Sequence, residues 1–365
     1  MSGAEETIDE FLKYLNLRGF DVTSINCNEK YLMYNDMYDE VLEEKTFNIY
    51  DQFNKIFFSC YDNFFLKANK IIEEFKPDMI LCQLNGLAEL VSISKKYKIP
   101  IIYFMHSYFT RDSDISSNYD IDLLYNDVDR IICLSNFIKD SLPNCLKEKA
   151  EVVYPYIKPE KFKCNERNPK NILFFNPIDI KGVEIIIELA KTFPAETFEV
   201  YETWRKTTKK YKRQLEMLPN VNIKRNSAEP KSLYSNAKIF LMPSQCKEGF
   251  GRGVVEANIN GIPTICSNVG GIKEAAGESQ VLINEYDNIN HWIKALKKLL
   301  EDKNFYDNLV LNSRRNGERF NKCEIEKIIL KYFHRELGIE EFVLSELEKN
   351  ILNDKDVSVL VEKIN

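Results

Sequence analysis

Short apolar runs alternate with helical patterns along almost the whole chain, and this alternation restricts the fold more than any other feature. Strand-like runs read at residues 78–83, 100–105, 129–134 and 151–153, and again at 171–175, 197–201, 220–224, 239–242 and 264–267. Helical patterns fall between several of them, notably at 87–97 and 183–192. A strand that returns through a helix to a neighbouring strand builds a parallel sheet covered on both faces. The series restarts once, at Tyr154-Pro155-Tyr156-Ile157-Lys158-Pro159, where two prolines forbid a regular element. The pattern therefore predicts two doubly wound, Rossmann-like parallel-sheet domains. Residues 1–153 would form the first, 154–170 a hinge and linker, 171–320 the second, and 321–365 a helical C-terminal extension. With 365 residues and 44% hydrophobic content, the chain can bury two cores of roughly 100–200 residues each.

Other stretches are read more locally. Residues 1–17 form a helix opened by a Ser2/Glu5 capping box, with Ile8, Phe11, Leu12 and Leu15 on one stripe. A strand at 21–26 leads into a Tyr- and Met-rich stretch without a readable period, and then a long helix is expected to run to Phe75. Its apolar residues Phe53, Ile56, Phe57, Phe64, Phe65, Ile71 and Ile72 read as core packing. Residues 160–170 read as polar linker. Helices are expected at 289–300, 305–316 and 325–337, followed by an amphipathic tail over 339–365.

Charge and cysteine usage remove several function classes. A net charge of −6 argues against a sequence-independent nucleic-acid binder, which needs a strongly basic face. The local run Arg205, Lys206, Lys209, Lys210, Lys212, Arg213 is either a solvated helix face or a patch for an anionic membrane surface or acceptor. Nine cysteines without a C-x-x-C pair fit a reduced, cytoplasmic protein. No apolar run reaches the roughly 20 residues of a membrane span, so any membrane association would be peripheral, at the inner face.

The chemistry concentrates in residues 238–256, KIFLMPSQCKEGFGRGVVE. A strand, a Pro/Ser turn, a loop with Gly249, Gly251 and Gly253, and a helix starting near Arg252 make the layout of a phosphate site. Glycines allow close backbone approach, and a helix N-terminus offers free N–H groups to an anion. Glu248 and Glu256 flank that site, where a carboxylate suits the paired hydroxyls of a sugar or ribose. The plainer readings are that Glu248 suits the helix dipole and Glu256 is a solvated helix residue. His106, one of three histidines, ends the 101–105 run, and ligands of open parallel sheets bind beyond the carboxyl ends of strands. A lone histidine also serves structural roles. Gly270-Gly271 offers a second turn with free N–H groups, or simply a structural turn.

The stretch from Glu248 through Glu256 to Gly261, Pro263, Ser267, Gly270-Gly271 and Glu274 resembles the E-x7-E signature of glycosyltransferase family 4, retaining enzymes of the two-domain GT-B fold. The resemblance implies that Glu248 meets hydroxyls of the donor sugar, Glu256 holds the nucleotide ribose, and Gly249, Phe250, Gly251, Gly270 and Gly271 line the donor. It implies that His106 touches the transferred sugar. In most relatives an arginine and a lysine five residues apart neutralise the donor diphosphate. Here Lys181-Gly182 is kept, but Asn176 stands where the arginine would be, so Arg252 and Arg205 are the candidates for the missing cation, unless both are surface residues. Relatives also begin with a strand and a glycine loop. Ser2-Gly3-Ala4-Glu5 matches that loop's end, which makes Gly3 a donor contact or merely a glycine just inside a helix.

The resulting expectation is a retaining, metal-independent hexosyltransferase that moves a sugar from a nucleoside diphosphate sugar, UDP- or GDP-linked, to a glycan, lipid-linked or small-molecule hydroxyl. The donor sugar is a co-substrate, and no cofactor is implied. His106, Lys181 and Glu248 would carry the catalytic roles, and the C-terminal helices could form a homodimer contact. Asp112 and Asp114 have D-x-D spacing but follow His106 rather than a donor strand, and are read as coincidence. The competing class is a non-catalytic glycosyltransferase-like subunit that stabilises a partner enzyme. A nicotinamide dehydrogenase fails for want of a G-x-G-x-x-G after a first strand.

Overall fold

The structure, a computed structural model, describes residues 3–27, 54–58, 61–83, 87–109, 121–203, 206–225, 229–277 and 280–337. Its first elements are α1 (Gly3–Leu17), β1 (Thr23–Cys27), β2 (Asn54–Phe58), α2 (Tyr61–Phe75), β3 (Ile80–Gln83), α3 (Leu87–Tyr97), β4 (Ile101–Met105), α4 (Ile121–Asp127), β5 (Arg130–Cys133), α5 (Asn136–Ser141), α6 (Asn144–Lys147) and β6 (Ala150–Val152). After an irregular stretch the chain continues as α7 (Pro159–Phe162), β7 (Asn171–Phe175), a 3-10 turn at Asp179–Lys181, α8 (Val183–Thr192), β8 (Phe198–Glu202), α9 (Lys209–Glu216), β9 (Val221–Arg225), α10 (Pro230–Tyr234) and β10 (Ala237–Met242). Then come α11 (Arg252–Ile259), β11 (Thr264–Ser267), α12 (Ile272–Ala276), β12 (Val281–Ile283), α13 (Ile289–Glu301), α14 (Lys303–Glu318) and α15 (Ile325–Leu337). The strands form a pair β1-β2, a sheet β3-β4-β5-β6 and a sheet β12-β11-β10-β7-β8-β9.

The described residues fall into two compact units, one within Met1–Thr7, Met105–Tyr119 and Cys133–Lys322, the other within Ile8–Phe104, Asp120–Ile132 and Cys323–Asn365. The first holds the six-stranded sheet, all of whose neighbouring strands pair in parallel. Successive residues of its strands point to opposite faces, and both faces are covered. Ile172, Phe174, Phe198, Val200, Ile239 and Leu241 pack with α8, α9, α13 and α14. Leu173, Tyr201, Phe240 and Cys266 pack with α7, α10, α11 and α12. Trp292 on α13 is fully buried, its indole N–H donating to the Tyr286 carbonyl at 2.9 Å. Burial of such a side chain stabilises by about 2–3 kcal/mol. Burial on both faces explains why these strands read as continuous apolar runs.

In the other unit β3 and β4 pair in parallel, and the Phe11 ring of α1 meets Phe104 of β4 at 5.8 Å. Glu326 at the start of α15 accepts hydrogen bonds from the Tyr14 hydroxyl and Arg18 Nε of α1, each at 3.2 Å.

Three expectations need correction. The stretch with Ile56 and Phe57 is strand β2, not the beginning of a long helix, and it pairs in parallel with β1 from Thr23 opposite Asn54 to Cys27 opposite Phe58. Asn-Lys-Ile-Phe-Phe is a five-residue strand with only three apolar residues, Ile56, Phe57 and Phe58, too short a run for its period to separate strand from helix. Residues 160–170 are not wholly linker: α7 enters them and buries Phe162, and Arg167 donates to the Asn260 and Ala237 carbonyls. The short elements α4, α6, α10 and β12 were not anticipated. The amphipathic tail over 339–365 and the loop residues Arg111, Asp112 and Asp114 lie outside the described residues.

Candidate functional site

Strand order locates the site before any side chain is considered. In the sequence β12-β11-β10-β7-β8-β9 the winding reverses between β7 and β10, and a doubly wound sheet binds ligands beyond the carboxyl ends of its strands at such a reversal. The loops that leave β7 and β10 there are residues 176–182 and 243–251. They touch: a Cβ on Gly182 would lie 2.0 Å from the Pro243 carbonyl oxygen, and Gly182 has φ +80°. Only glycine fits, and the close approach brings Lys181 of one loop into an ion pair with Glu248 of the other. Both side chains are under a fifth exposed. The Ser244 hydroxyl donates to Glu248 at 2.8 Å, orienting the carboxylate. Lys181 and Glu248 are thus brought together.

Glu256, one turn into α11, is not a solvated residue; its side chain is 13% exposed. Its carboxylate accepts from the Tyr234 hydroxyl at 2.7 Å and from Arg252 Nε at 3.3 Å. Arg252, buried, also donates to the Thr7 hydroxyl at 3.1 Å and lies 3.9 Å from Glu6, which pairs with Lys161 at 2.5 Å. The result is a row of alternating charge, Lys161–Glu6–Arg252–Glu256, ending at Tyr234. Burial pushes the Glu256 carboxyl above the ordinary range, against the pull of Arg252. Burial acts the same way on Glu6, but Arg252 and Lys161 outweigh it and its carboxyl lies below the ordinary value. Nothing local in the sequence marked Tyr234, Glu6 or Thr7, because their contacts with the motif are purely tertiary.

His106 follows β4 directly. Burial, and secondarily the Arg252 charge, lower its pKa to about 4, so the imidazole is neutral at physiological pH. Gly249 packs on its backbone, where a Cβ would lie 2.2 Å from the His106 carbonyl oxygen. Gly271 N–H donates to the Glu248 carbonyl at 2.8 Å, which sets the two glycine turns against each other. Gly251, at φ +109°, precedes the first turn of α11. Phe250 is buried between the Tyr154 and Phe320 rings, with centroids at 5.8 and 5.2 Å.

Asn176 takes a left-handed conformation, φ +57°, and its Oδ1 accepts from the Thr203 hydroxyl at 2.6 Å. Of the two candidates for a second cation, Arg252 is engaged as described and Arg205 lies outside the described residues. Gly3 is the first residue of α1. Among the described residues no group of three histidine, cysteine, aspartate or glutamate side chains is placed to hold a metal ion, and no helix is long and apolar enough to cross a membrane.

A doubly wound sheet with facing glycine loops at its reversal is an open α/β architecture, and the solved structures it resembles share the GT-B fold. The chain has a TM-score of 0.67 to sucrose-phosphate synthase from Thermosynechococcus elongatus, at 17% identity, covering 92% of this chain and 94% of that one. It has a TM-score of 0.66 to Anabaena HepE in complex with UDP and glucose, at 17% identity, covering 78% and 86%. At these identities the likeness is one of fold. In sequence it is 26% identical over 245 residues to an uncharacterised glycosyltransferase of Methanocaldococcus jannaschii, 63% of this chain and 68% of the relative. The model of "Glycosyltransferase Family 4" matches residues 1–161 and that of "Glycosyl transferases group 1" residues 158–316, and the chain belongs to this family of glycosyltransferases.

Proposed function

We propose that the protein transfers a hexose from a nucleoside diphosphate sugar, UDP- or GDP-linked, to an acceptor hydroxyl with retention at the anomeric carbon and without a metal. The observation that carries this reading is the meeting of Lys181 and Glu248 at the strand reversal, with Glu256 a helical turn beyond. Lys181 and the N-terminus of α11 would take the diphosphate charge, an arrangement suited to anions. Glu248 would accept from sugar hydroxyls, Glu256 from the ribose, and the neutral His106 would hydrogen-bond the transferred sugar without adding charge. The bond between the anomeric carbon and the diphosphate oxygen breaks, the new bond to the acceptor oxygen forms on the same face, and the acceptor proton passes to the leaving phosphate. Binding of UDP by a protein of the same fold favours UDP as the first nucleotide to try.

One observation favours a second reading. Asn176 supplies no cation where relatives carry arginine, as a non-catalytic subunit would tolerate. Titration calorimetry with UDP, GDP, ADP and their sugar conjugates separates the two. Selective binding of one nucleotide, lost in Glu256→Gln, is expected; no binding by any would overturn the enzyme reading. The acceptor class, a peripheral membrane contact, a homodimer and a cytoplasmic location remain part of this proposal.

A further inference from the structure

We infer that Glu274 is a positioning residue for the loop that carries Glu248, clamping it through the start of α5 and the irregular stretch after β6. The inference rests on the reading of Glu248 as the sugar receptor. Glu274 lies in the first turn of α12, yet its carboxylate serves two other segments. Oε1 accepts the Phe137 backbone N–H at 2.7 Å. Oε2 accepts the Asn136 backbone N–H at 2.8 Å, Asn136 Nδ2 at 3.0 Å and the Tyr154 hydroxyl at 3.0 Å. Four donors thus converge on one carboxylate, one on Oε1 and three on Oε2. Its charge also opposes the positive end of α5. Burial, followed by the bond to Glu274, pushes the Tyr154 hydroxyl up to about 12, so it stays a donor.

Those same segments grip the glycine loop. Ser135, the N-cap of α5, accepts from the Ile138 N–H at 3.1 Å and donates to the Gly249 carbonyl at 2.6 Å. The Tyr154 ring lies against Phe250 at 5.8 Å. On the other side of the loop, Gly271 N–H holds the Glu248 carbonyl, and a Cβ on Gly271 would lie 2.2 Å from the Gly249 oxygen. Residues 248–250 are therefore held between α5 and the turn before α12, and Glu274 joins these two walls. Without it the wall facing Ser135 is free to move, and the Glu248 carboxylate loses its fixed height above the sheet. Glu274 touches none of the groups that would meet the donor, so its effect must travel through backbone position.

Glu274→Gln keeps the shape but turns an NH2 toward N–H or O–H donors. Calorimetry and donor hydrolysis are compared in the wild type, Glu274→Gln, Glu248→Gln and Tyr154→Phe, with exchange of backbone hydrogens followed by mass spectrometry. Glu274→Gln is expected to match Glu248→Gln, with at least tenfold weaker binding of the sugar conjugate and slower hydrolysis, while the bare nucleotide binds within threefold of wild type. Tyr154→Phe should move the same way by less. Hydrogen exchange should speed up in 248–251 and at Gly271 but not in α8 or α13. Equal losses for nucleotide and conjugate, wild-type behaviour, or unchanged exchange in 248–251 would each overturn the assignment. Failure of the wild type to bind any nucleotide, with the exchange response intact, would instead reject the donor reading and leave the clamp standing.

Discussion

Replacing Arg252 by methionine removes one buried charge from a row of four and tests whether that row is a working unit. The guanidinium is 9% exposed and faces Glu256 at 3.3 Å, Thr7 at 3.1 Å and Glu6 at 3.9 Å. Removing one partner of a buried ion pair costs about 3–5 kcal/mol, because the other charge stays behind. Here each carboxylate keeps a partner, Lys161 for Glu6 and the Tyr234 hydroxyl for Glu256. The loss should fall at the low end, about 3 kcal/mol, or about 6–12 °C in Tm for a unit of 150–250 residues. Sign gives a second check. Arg252 pulls both carboxyl pKa values down, so without it both rise in the folded protein. A folded state that binds protons more tightly gains stability as pH falls. The deficit measured by urea denaturation at pH 7 must therefore shrink at pH 5. A variant within 1 kcal/mol of wild type at pH 7, by this order-of-magnitude scale, or a deficit independent of pH, would refute the argument.

Other outcomes follow from the same geometry. Lys181→Ala should cut turnover by orders of magnitude; near-normal turnover would remove it from the diphosphate site. Glu256→Gln should weaken nucleotide binding about tenfold or more, a hydrogen bond to a charged group being worth about 1.5–3 kcal/mol, and undiminished binding would reject the ribose role. His106 has a folded pKa of about 4 against an ordinary 6.5, so its contribution to stability is present above pH 6.5 and lost as pH falls toward 4. His106→Gln should flatten the stability profile in that window, and an unchanged slope would contradict the neutral imidazole. Gly249→Ala must displace the His106 carbonyl, so it should impair donor binding and lower Tm together, whereas full retention of both would mean that the loop is not packed there.

The second half of the fold was legible because its strands are buried on both faces and its helices are long and amphipathic. Residues 171–175, 183–192, 264–267 and 325–337 were bounded to the residue. Where the apolar run is only three residues long, as at Ile56–Phe58 in β2, period does not discriminate, and only pairing with β1 decides. The glycine loops and their two glutamates were legible because close approach demands glycine whatever the partner. The partners themselves were not. Arg252 reaches Thr7 across 245 positions, and Tyr234 meets Glu256 by crossing from α10 to α11. No spacing rule encodes such meetings, and so a residue suspected of being surface became the hub of a buried row.

The link between α1 and α15 has a consequence for biosynthesis. Glu326 binds Tyr14 and Arg18 more than 300 positions back, and the unit to which all three belong is interrupted by Cys133–Lys322. At roughly 5–20 residues per second of translation, α1 waits about 15–60 s before its last partner leaves the ribosome. The inserted unit can complete its sheet in that interval. The usual order of maturation is then inverted, with the middle of the polypeptide settling first and the beginning closing only when α15 arrives.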